Sequence, residues 1–460
     1  MTSTRTYPRQ LEIQPLAREP RAVVNVPGSK SITNRAMVLA ALSEGGTNLI
    51  GALRSEDTEV MIGALKQLGF DVDAKWSKNI VHICRPVSAA VIPSPSADLF
   101  VANSGTSMRF LTAMVALGKG EYRLDGVARM RQRPIGDLIA ALRQLKVDVH
   151  SENGDGCPPI LVRAAGIAGG DVVMKGDTSS QFLSGLLMVA PLAQAPITIT
   201  IEGPLVSKPY VAMTMEMMRH FGASVDCSSL TWFQIGNSSY RCSEYAIEPD
   251  ASAASYFFAA AAICGGRITV EGLQRSLQGD VRFVDVLEQM GAQVLRNDAG
   301  ITVQGRSLKG IEVDMNDISD CVMTLAAAAC FADGPTTIRN VAHIRYKETD
   351  RLAALAKELR KVGAGVDELP DGLRIRPGKL HGATIDTYND HRMAMSLALV
   401  GLKVPGIVIN DPGCVVKTYP GFFRRLGRTL SAVKTGERQA ILRLLFRRCC
   451  RGATIATPRR

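Results

Sequence analysis

A short pattern recurs along the chain: a helix end of the form LxxxG, followed at once by an alternating apolar strand. It reads LKQLGFDV at 65–72, LRQLKVDV at 142–149, MRHFGASV at 218–225, LEQMGAQV at 287–294 and LRKVGAGV at 359–366, with a weaker FRRLGRTL at 423–430. The stop residues are Gly69, Lys146, Gly222, Gly291, Gly363 and Gly427, spaced 77, 76, 69, 72 and 64 residues apart. Each copy describes an amphipathic helix that ends at a residue just past its last turn, after which the chain re-enters a strand. One copy would mean only an α/β protein, whereas six at near-constant spacing mean a repeated α/β unit. The unit is too long for a small solenoid repeat, so each copy is expected to be a subdomain of several strands and helices. A chain of 460 residues has room for two to three domains.

Three clusters break the apolar pattern. NVAHIRYKETDR at 340–351 places His343, Arg345, Lys347, Glu348, Asp350 and Arg351 within twelve residues. PGSKSITNR at 27–35 and TYNDHR at 387–392 also set cations beside hydroxyl, amide or carboxylate side chains. Taken singly, each reads equally well as a solvated helix start or a cap. Together with NSGTSMR at 103–109, three arginines ahead of Pro134, and Ser179, Ser180 and Gln181 ahead of an apolar run, they form a series. In copy after copy, basic or hydroxyl residues precede an apolar helix. Helix N-termini that converge with Lys and Arg between them would make a deep anion site. The less regular stretch near 244–250 is the candidate hinge.

The net charge of +11 could suggest a nucleic-acid partner. Its distribution argues against one, because residues 421–460 hold eleven Lys or Arg and a single acid, Glu437, leaving the rest of the chain near +1. Only 5% of residues are aromatic, which leaves little to stack on bases. No run of about 18 apolar residues predicts a membrane span, and the N-terminus has no apolar signal region. The ten cysteines form no CxxC pair and the six histidines no HExxH pattern, which fits free thiols in a reducing cytoplasm and no metal site.

PGSKSITNR, NSGTSMR, RQRPIG at 131–136, SSQFLSGLLM at 179–188, SKPY at 207–210, DASAASYF at 250–257, KETDR at 347–351 and NDHRMAM at 389–395 stand in one order. Over roughly residues 12–430 this series resembles the 5-enolpyruvylshikimate-3-phosphate synthases. The resemblance implies an inside-out α/β barrel of two domains, each with three βαβαββ repeats. One domain would be discontinuous, residues 1–28 with 248–430, and the other would be 29–247. It implies transfer of the enolpyruvyl group of phosphoenolpyruvate to the 5-hydroxyl of shikimate 3-phosphate, in the cleft between the domains and without a cofactor.

By the same resemblance, Lys30, Ser31, Arg35, Ser179, Ser180, Ser207, Tyr210, Asp320, His343 and Lys347 would bind shikimate 3-phosphate. Lys30, Asn103, Gly105, Arg133, Gln181, Arg351, His391, Arg392 and Lys417 would hold phosphoenolpyruvate. Asp320, Glu348 and Lys30 would be the catalytic set, and Gly105 would leave room for the inhibitor glyphosate. Glu348 must donate a proton as well as accept one, so its pKa is expected to rise in a closed cleft. His343 stands where bacterial members have Asn, and it is expected to keep the phosphate contact with some added pH sensitivity.

The sister activity, transfer to UDP-N-acetylglucosamine, goes with a reactive Cys in the loop before the Arg-Pro pair. Residues 122–133 contain no Cys. The expected partners are therefore the two small substrates, with no nucleic acid or membrane, for a cytoplasmic monomer. Residues 431–460 match nothing in the family. They read as a basic extension that is disordered or forms a short helix over 440–446, with Cys449 and Cys450 beside arginines.

Overall fold

The computed structural model describes residues 7–87 and 90–430. The expectations for 431–460, the short helix and the cysteine pair included, lie outside the described residues.

The recurring pattern is a backbone device. Gly69, Lys146, Gly222, Gly291 and Gly363 all have positive φ, from 66° at Lys146 to 108° at Gly291. Each ends a helix (Glu56–Gln67, Gly136–Gln144, Lys208–His220, Phe283–Gln289 and Arg351–Lys361) and sends the chain into the outer strand of a hairpin. The weaker sixth copy does not work this way. Gly427 lies inside the helix Phe422–Leu430 and stops nothing.

Five of the six sheets formed by the described residues have four strands and share one pairing, a parallel pair extended by an antiparallel hairpin. In one of them Ser96–Phe100 runs parallel to Lys119–Asp125, which pairs antiparallel with Ile160–Ala165, itself antiparallel to Asp148–Ser151. Distant segments complete two of the five. Glu244–Ala246 returns to lie parallel to Gly46–Ile50, and Arg21–Val24 lies parallel to Arg267–Val270. The sixth sheet has three strands, with Gln10–Glu12 antiparallel to Val408–Asn410 and Thr384–Ile385 parallel to it.

Two hydrophobic cores result. One is built from residues between Ile32 and Ile247, the other from Ile13 to Val26 together with Ala251 to Leu430. Each surrounds helices buried on every side. All eleven residues of Gly105–Val115 are buried, as are thirteen of the fourteen of Ala251–Cys264, whose alanines allow close packing all round. The chain passes between the cores twice, and the two passes lie side by side. Ser29 N–H donates to the Glu248 carbonyl at 2.8 Å, and Asp250 N–H donates to the Pro27 carbonyl at 2.8 Å.

Lys146 adopts the conformation that glycine holds at the four equivalent stops, and its side chain is exposed. A left-handed L-residue costs about 1–2 kcal/mol, partly offset in a glycine variant by backbone entropy. Lys146→Gly is therefore expected to raise stability by about 0.5–1 kcal/mol, seen as a higher midpoint in thermal or denaturant unfolding. A lower midpoint would show that the Lys146 side chain contributes more than its backbone strain costs.

Candidate active site

Six helices present their first residues to one cavity between the cores. These are Lys30 and Ser31 of Lys30–Leu42, Gly105 and Thr106 of Gly105–Val115, and Ser180 and Gln181 of Ser180–Val189. Ser207 and Tyr210 belong to the start of Lys208–His220, Arg351 to Arg351–Lys361 and Arg392 to His391–Ala398. The local sequence sets these starts. Ser29, Ser104 and Ser179 cap their helices by accepting from Ile32, Ser107 and Gln181 N–H, and Asp350 and Asp390 cap the last two. The caps leave the first-turn side chains and the positive helix ends aimed at common space of about 840 Å³, part of it open to solvent.

Of the residues expected in the site, Lys30, Ser31, Arg35, Gly105, Arg133, Ser179, Ser180, Gln181, Ser207, Tyr210, Asp320, His343, Lys347, Glu348, Arg351 and Arg392 line this cavity. Asn103, His391 and Lys417 stand behind its wall. Lys417 Nζ donates to Asp57 Oδ1 at 2.8 Å and to the Asn103 carbonyl at 2.9 Å. The Arg133 guanidinium donates to the same carbonyl at 3.0 Å and to the Asn103 side-chain oxygen at 3.2 Å. His391 is fully buried, and among the described residues neither ring nitrogen has a hydrogen-bond partner.

One wall is a closed ion network. Asp320 accepts from Lys347 Nζ at 2.7 Å, Arg392 Nη2 at 2.7 Å and Arg351 Nη1 at 3.4 Å. Arg351, 1% exposed, also holds Glu348 at 2.9 Å and Asp390 at 2.8 and 3.2 Å. Burial alone would favour neutral acids here. Arg392, Lys347, Arg351 and Lys30 nevertheless hold the Asp320 carboxyl well below its usual range. Arg351, Arg133, Lys417 and His391 do the same to Glu348 against its burial. The surroundings of Glu348 thus lower its pKa, opposite to the rise expected.

The opposite wall is unbalanced. Arg35, Arg109 and Arg133 are 2%, 3% and 5% exposed. Among the described residues none of them has a carboxylate within ion-pair distance. Arg35 donates to Thr214 and Ser184 hydroxyls and the Ser31 carbonyl, and Arg109 to the Gly105 and Pro134 carbonyls. Burial lowers all three, Arg35 to about 10. A Cβ at Gly105 would come within 2.4 Å of Arg133 Nη2 and 2.7 Å of Arg109 Nη1, so a larger residue there would displace these guanidinium groups.

The walls meet across the cleft. Ser207, with a left-handed φ of 53°, donates its N–H to Asn316 Oδ1 at 3.0 Å, and its hydroxyl lies 3.4 Å from His343 Nε2. Arg129 reaches over to the Lys347 carbonyl at 3.0 Å and the Arg345 carbonyl at 3.1 Å. Burial and then Lys347 push His343 down to about 3, which opposes the added pH sensitivity expected of this residue. Sequence reasoning missed Asp57, Arg109 and Asp390. Asp57 lies in none of the motifs singled out in the sequence, and Arg109 and Asp390 sat in motifs without an assigned part. No cluster of three or more His, Cys, Asp or Glu among the described residues could hold a metal ion, and no helix among them is long and apolar enough to cross a membrane.

Solved structures place this architecture among the enolpyruvyl transferases. EPSP synthase from Acinetobacter baumannii superposes with a TM-score of 0.75 at 26% identity, over 92% of this chain and 98% of that one. The enolpyruvyl transferase NikO from Streptomyces tendae shares the fold, with a TM-score of 0.73 at 19% identity over 92% and 98%. The model of the EPSP synthase (3-phosphoshikimate 1-carboxyvinyltransferase) family matches residues 18–426. Proteins named 3-phosphoshikimate 1-carboxyvinyltransferase from Nostoc punctiforme and Shewanella baltica are 50% and 48% identical to this chain. Each comparison covers 91% of it, and 99% and 98% of theirs. The chain belongs to the EPSP synthase family, and it is a transferase.

Three buried guanidinium groups without carboxylates are destabilising until an anion reaches them. Inorganic phosphate is therefore expected to raise the thermal midpoint more than chloride at equal ionic strength. The gain approaches about 2.7 kcal/mol at 100 times the dissociation constant. Equal shifts in the two salts would mean that the cavity takes no oxyanion.

Proposed function

We propose that this chain transfers the enolpyruvyl group of phosphoenolpyruvate to the 5-hydroxyl of shikimate 3-phosphate and releases phosphate. The observation that carries the reading is the pairing of two unlike walls. Uncompensated buried arginines face carboxylates that neighbouring cations keep ionised. Two substrates that each carry several negative charges need such cations to offset their mutual repulsion. Proton transfer to and from carbon and oxygen needs the carboxylates.

In this reading Ser31, Arg35, Ser179, Ser180, Ser207, Tyr210, His343 and Lys347 hold shikimate 3-phosphate. Lys30, Gly105, Gln181, Arg133, Arg351 and Arg392 receive phosphoenolpyruvate. Asn103, His391 and Lys417 act from behind, since Asn103 fixes both Arg133 and Lys417. Asp320 takes the proton of the 5-hydroxyl as that oxygen attacks. Glu348 delivers a proton to the vinyl carbon and later removes one as the tetrahedral ketal expels phosphate. The phosphate and carboxylate of phosphoenolpyruvate, drawn to Arg133, offset part of the positive field that lowers Glu348. Burial acts in the same direction, so substrate binding raises its proton affinity. Lys30 assists as a cation beside Asp57, 3.5 Å away.

The step balances without redox cofactor, nucleotide or metal. The proposed setting is a cytoplasmic monomer in which residues 1–28 with 248–430, and residues 29–247, move as two bodies that close on the substrates.

Phosphate release measured with each acceptor in turn tests the reaction. Shikimate 3-phosphate with phosphoenolpyruvate is expected to give turnover, and UDP-N-acetylglucosamine to give none. Asp320→Asn and Glu348→Gln are each expected to lower kcat by roughly 10²–10⁴-fold with circular dichroism unchanged. Near-normal kcat in either variant removes that carboxylate from the chemistry.

A further inference from the structure

Asp280 lies in the short turn Gly279–Arg282, on the opposite side of the cleft from Tyr210, and is 3% exposed. Its Oδ2 accepts from the Tyr210 hydroxyl at 3.0 Å and from the Ser252 hydroxyl, while its buried Oδ1 has no partner among the described residues. The same Tyr210 hydroxyl is 3.4 Å from Asp320 Oδ2. A single phenol thus bridges two carboxyl groups, and it has only one proton to give. The two carboxyls are unequal. Asp320 is held by Lys347, Arg392 and Arg351, whereas Asp280 has no ion pair among the described residues. A carboxylate oxygen buried without a donor favours the neutral acid. The proton that Asp320 takes therefore has a better place to rest two hydrogen bonds away.

We propose that Asp280 is the terminus of a proton relay, receiving through the Tyr210 hydroxyl the proton that Asp320 removes from the substrate hydroxyl. This rests on the reading of Asp320 as the base in enolpyruvyl transfer. As the new C–O bond forms, the substrate O–H proton moves to Asp320. It passes to the Tyr210 oxygen while the proton already on Tyr210 moves to Asp280 Oδ2. Asp320 ends as a carboxylate, Tyr210 as a neutral phenol and Asp280 as a neutral acid, so every proton is accounted for. The concerted exchange never forms a tyrosinate, which burial together with Asp280 and Asp320 makes unfavourable. When product leaves, Asp280 loses its proton by the reverse path.

The groups around Asp280 set its affinity for the proton. They are Tyr210 on Lys208–His220, Ser252 on Ala251–Cys264, Asp320 and Cys321 in the turn Asn316–Cys321, and Arg392 on His391–Ala398. Burial and then Asp320 raise it to about 6, against the opposing pull of Arg392, Ser252 and Tyr210. Below that pH Asp280 already carries its proton and cannot accept another, so kcat/KM should fall as the pH drops through about 6. Asp280 reaches the substrate only through Tyr210, so it is a positioning residue and not a catalytic one.

The test is phosphate release by the full chain with shikimate 3-phosphate and phosphoenolpyruvate, followed between about pH 5 and about pH 8. Asp280→Asn keeps partners for Tyr210 and Ser252 but accepts no proton. It is expected to lower kcat about 100-fold, leave the KM for shikimate 3-phosphate within about threefold and abolish the acid limb near 6. Adding Tyr210→Phe to it should lower kcat no further, because the two residues act as one path. If Asp280→Asn does not fold, Tyr210→Phe alone must remove the limb. An unchanged kcat and pH profile in Asp280→Asn, a limb retained in Tyr210→Phe, or additive losses in the double variant would each overturn the relay while leaving the transfer reaction intact. A wild-type chain that releases no phosphate would overturn the underlying reading, and the relay with it.

Discussion

Burying a guanidinium without a carboxylate in ion-pair contact is unfavourable, and among the described residues this fold does it three times around one cavity. Among the described residues Arg35, Arg109 and Arg133 donate to hydroxyls, carbonyls, an amide oxygen and the Met130 sulfur, and to no carboxylate. The cost is borne by two large cores, whose packing fixes the helices that hold these side chains. Much of the local architecture then follows. The serine caps, the glycine at 105 and the buried Asn103 all accommodate cations pointed inward, with neutral partners taking several of their N–H groups.

The facing wall solves the opposite problem. Arg351 links Glu348, Asp320 and Asp390, which come from three separate segments, so one buried guanidinium fixes three carboxyl groups. Buried networks of this kind hold geometry well when every member is satisfied. This one keeps its carboxylates ionised. It therefore responds to charge. Anions that occupy Arg133 remove part of what lowers Glu348, and ligand binding and proton affinity become linked.

The repeat and its helix stops were legible because a left-handed residue after an amphipathic helix leaves a local signature. That signature survived even a lysine at 146, since LRQLKVDV kept the rest of the pattern. It misled at Gly427, where the same letters lie inside a helix. Most of the cavity lining was legible too, through basic and hydroxyl residues at helix starts. Asp57, Asp390 and Asp280 were not, because each acts on a residue far away in sequence: Asp57 on Lys417, Asp390 on Arg351 and Asp280 on Tyr210. His343 shows a further limit. Its residue type suggested titration near neutrality, and only the surrounding burial and Lys347 reveal that it stays neutral.

The central claim is that anionic substrates supply the charge that joins the two walls, so closure of the cleft depends on them. Small-angle X-ray scattering of the full chain, alone and with shikimate 3-phosphate and phosphoenolpyruvate together, measures this most directly. The account predicts that the radius of gyration falls on adding both substrates, toward the value calculated for the structure with Ser207 on Asn316 and Arg129 on Lys347. Identical scattering with and without substrates, under conditions where both are bound, would contradict it.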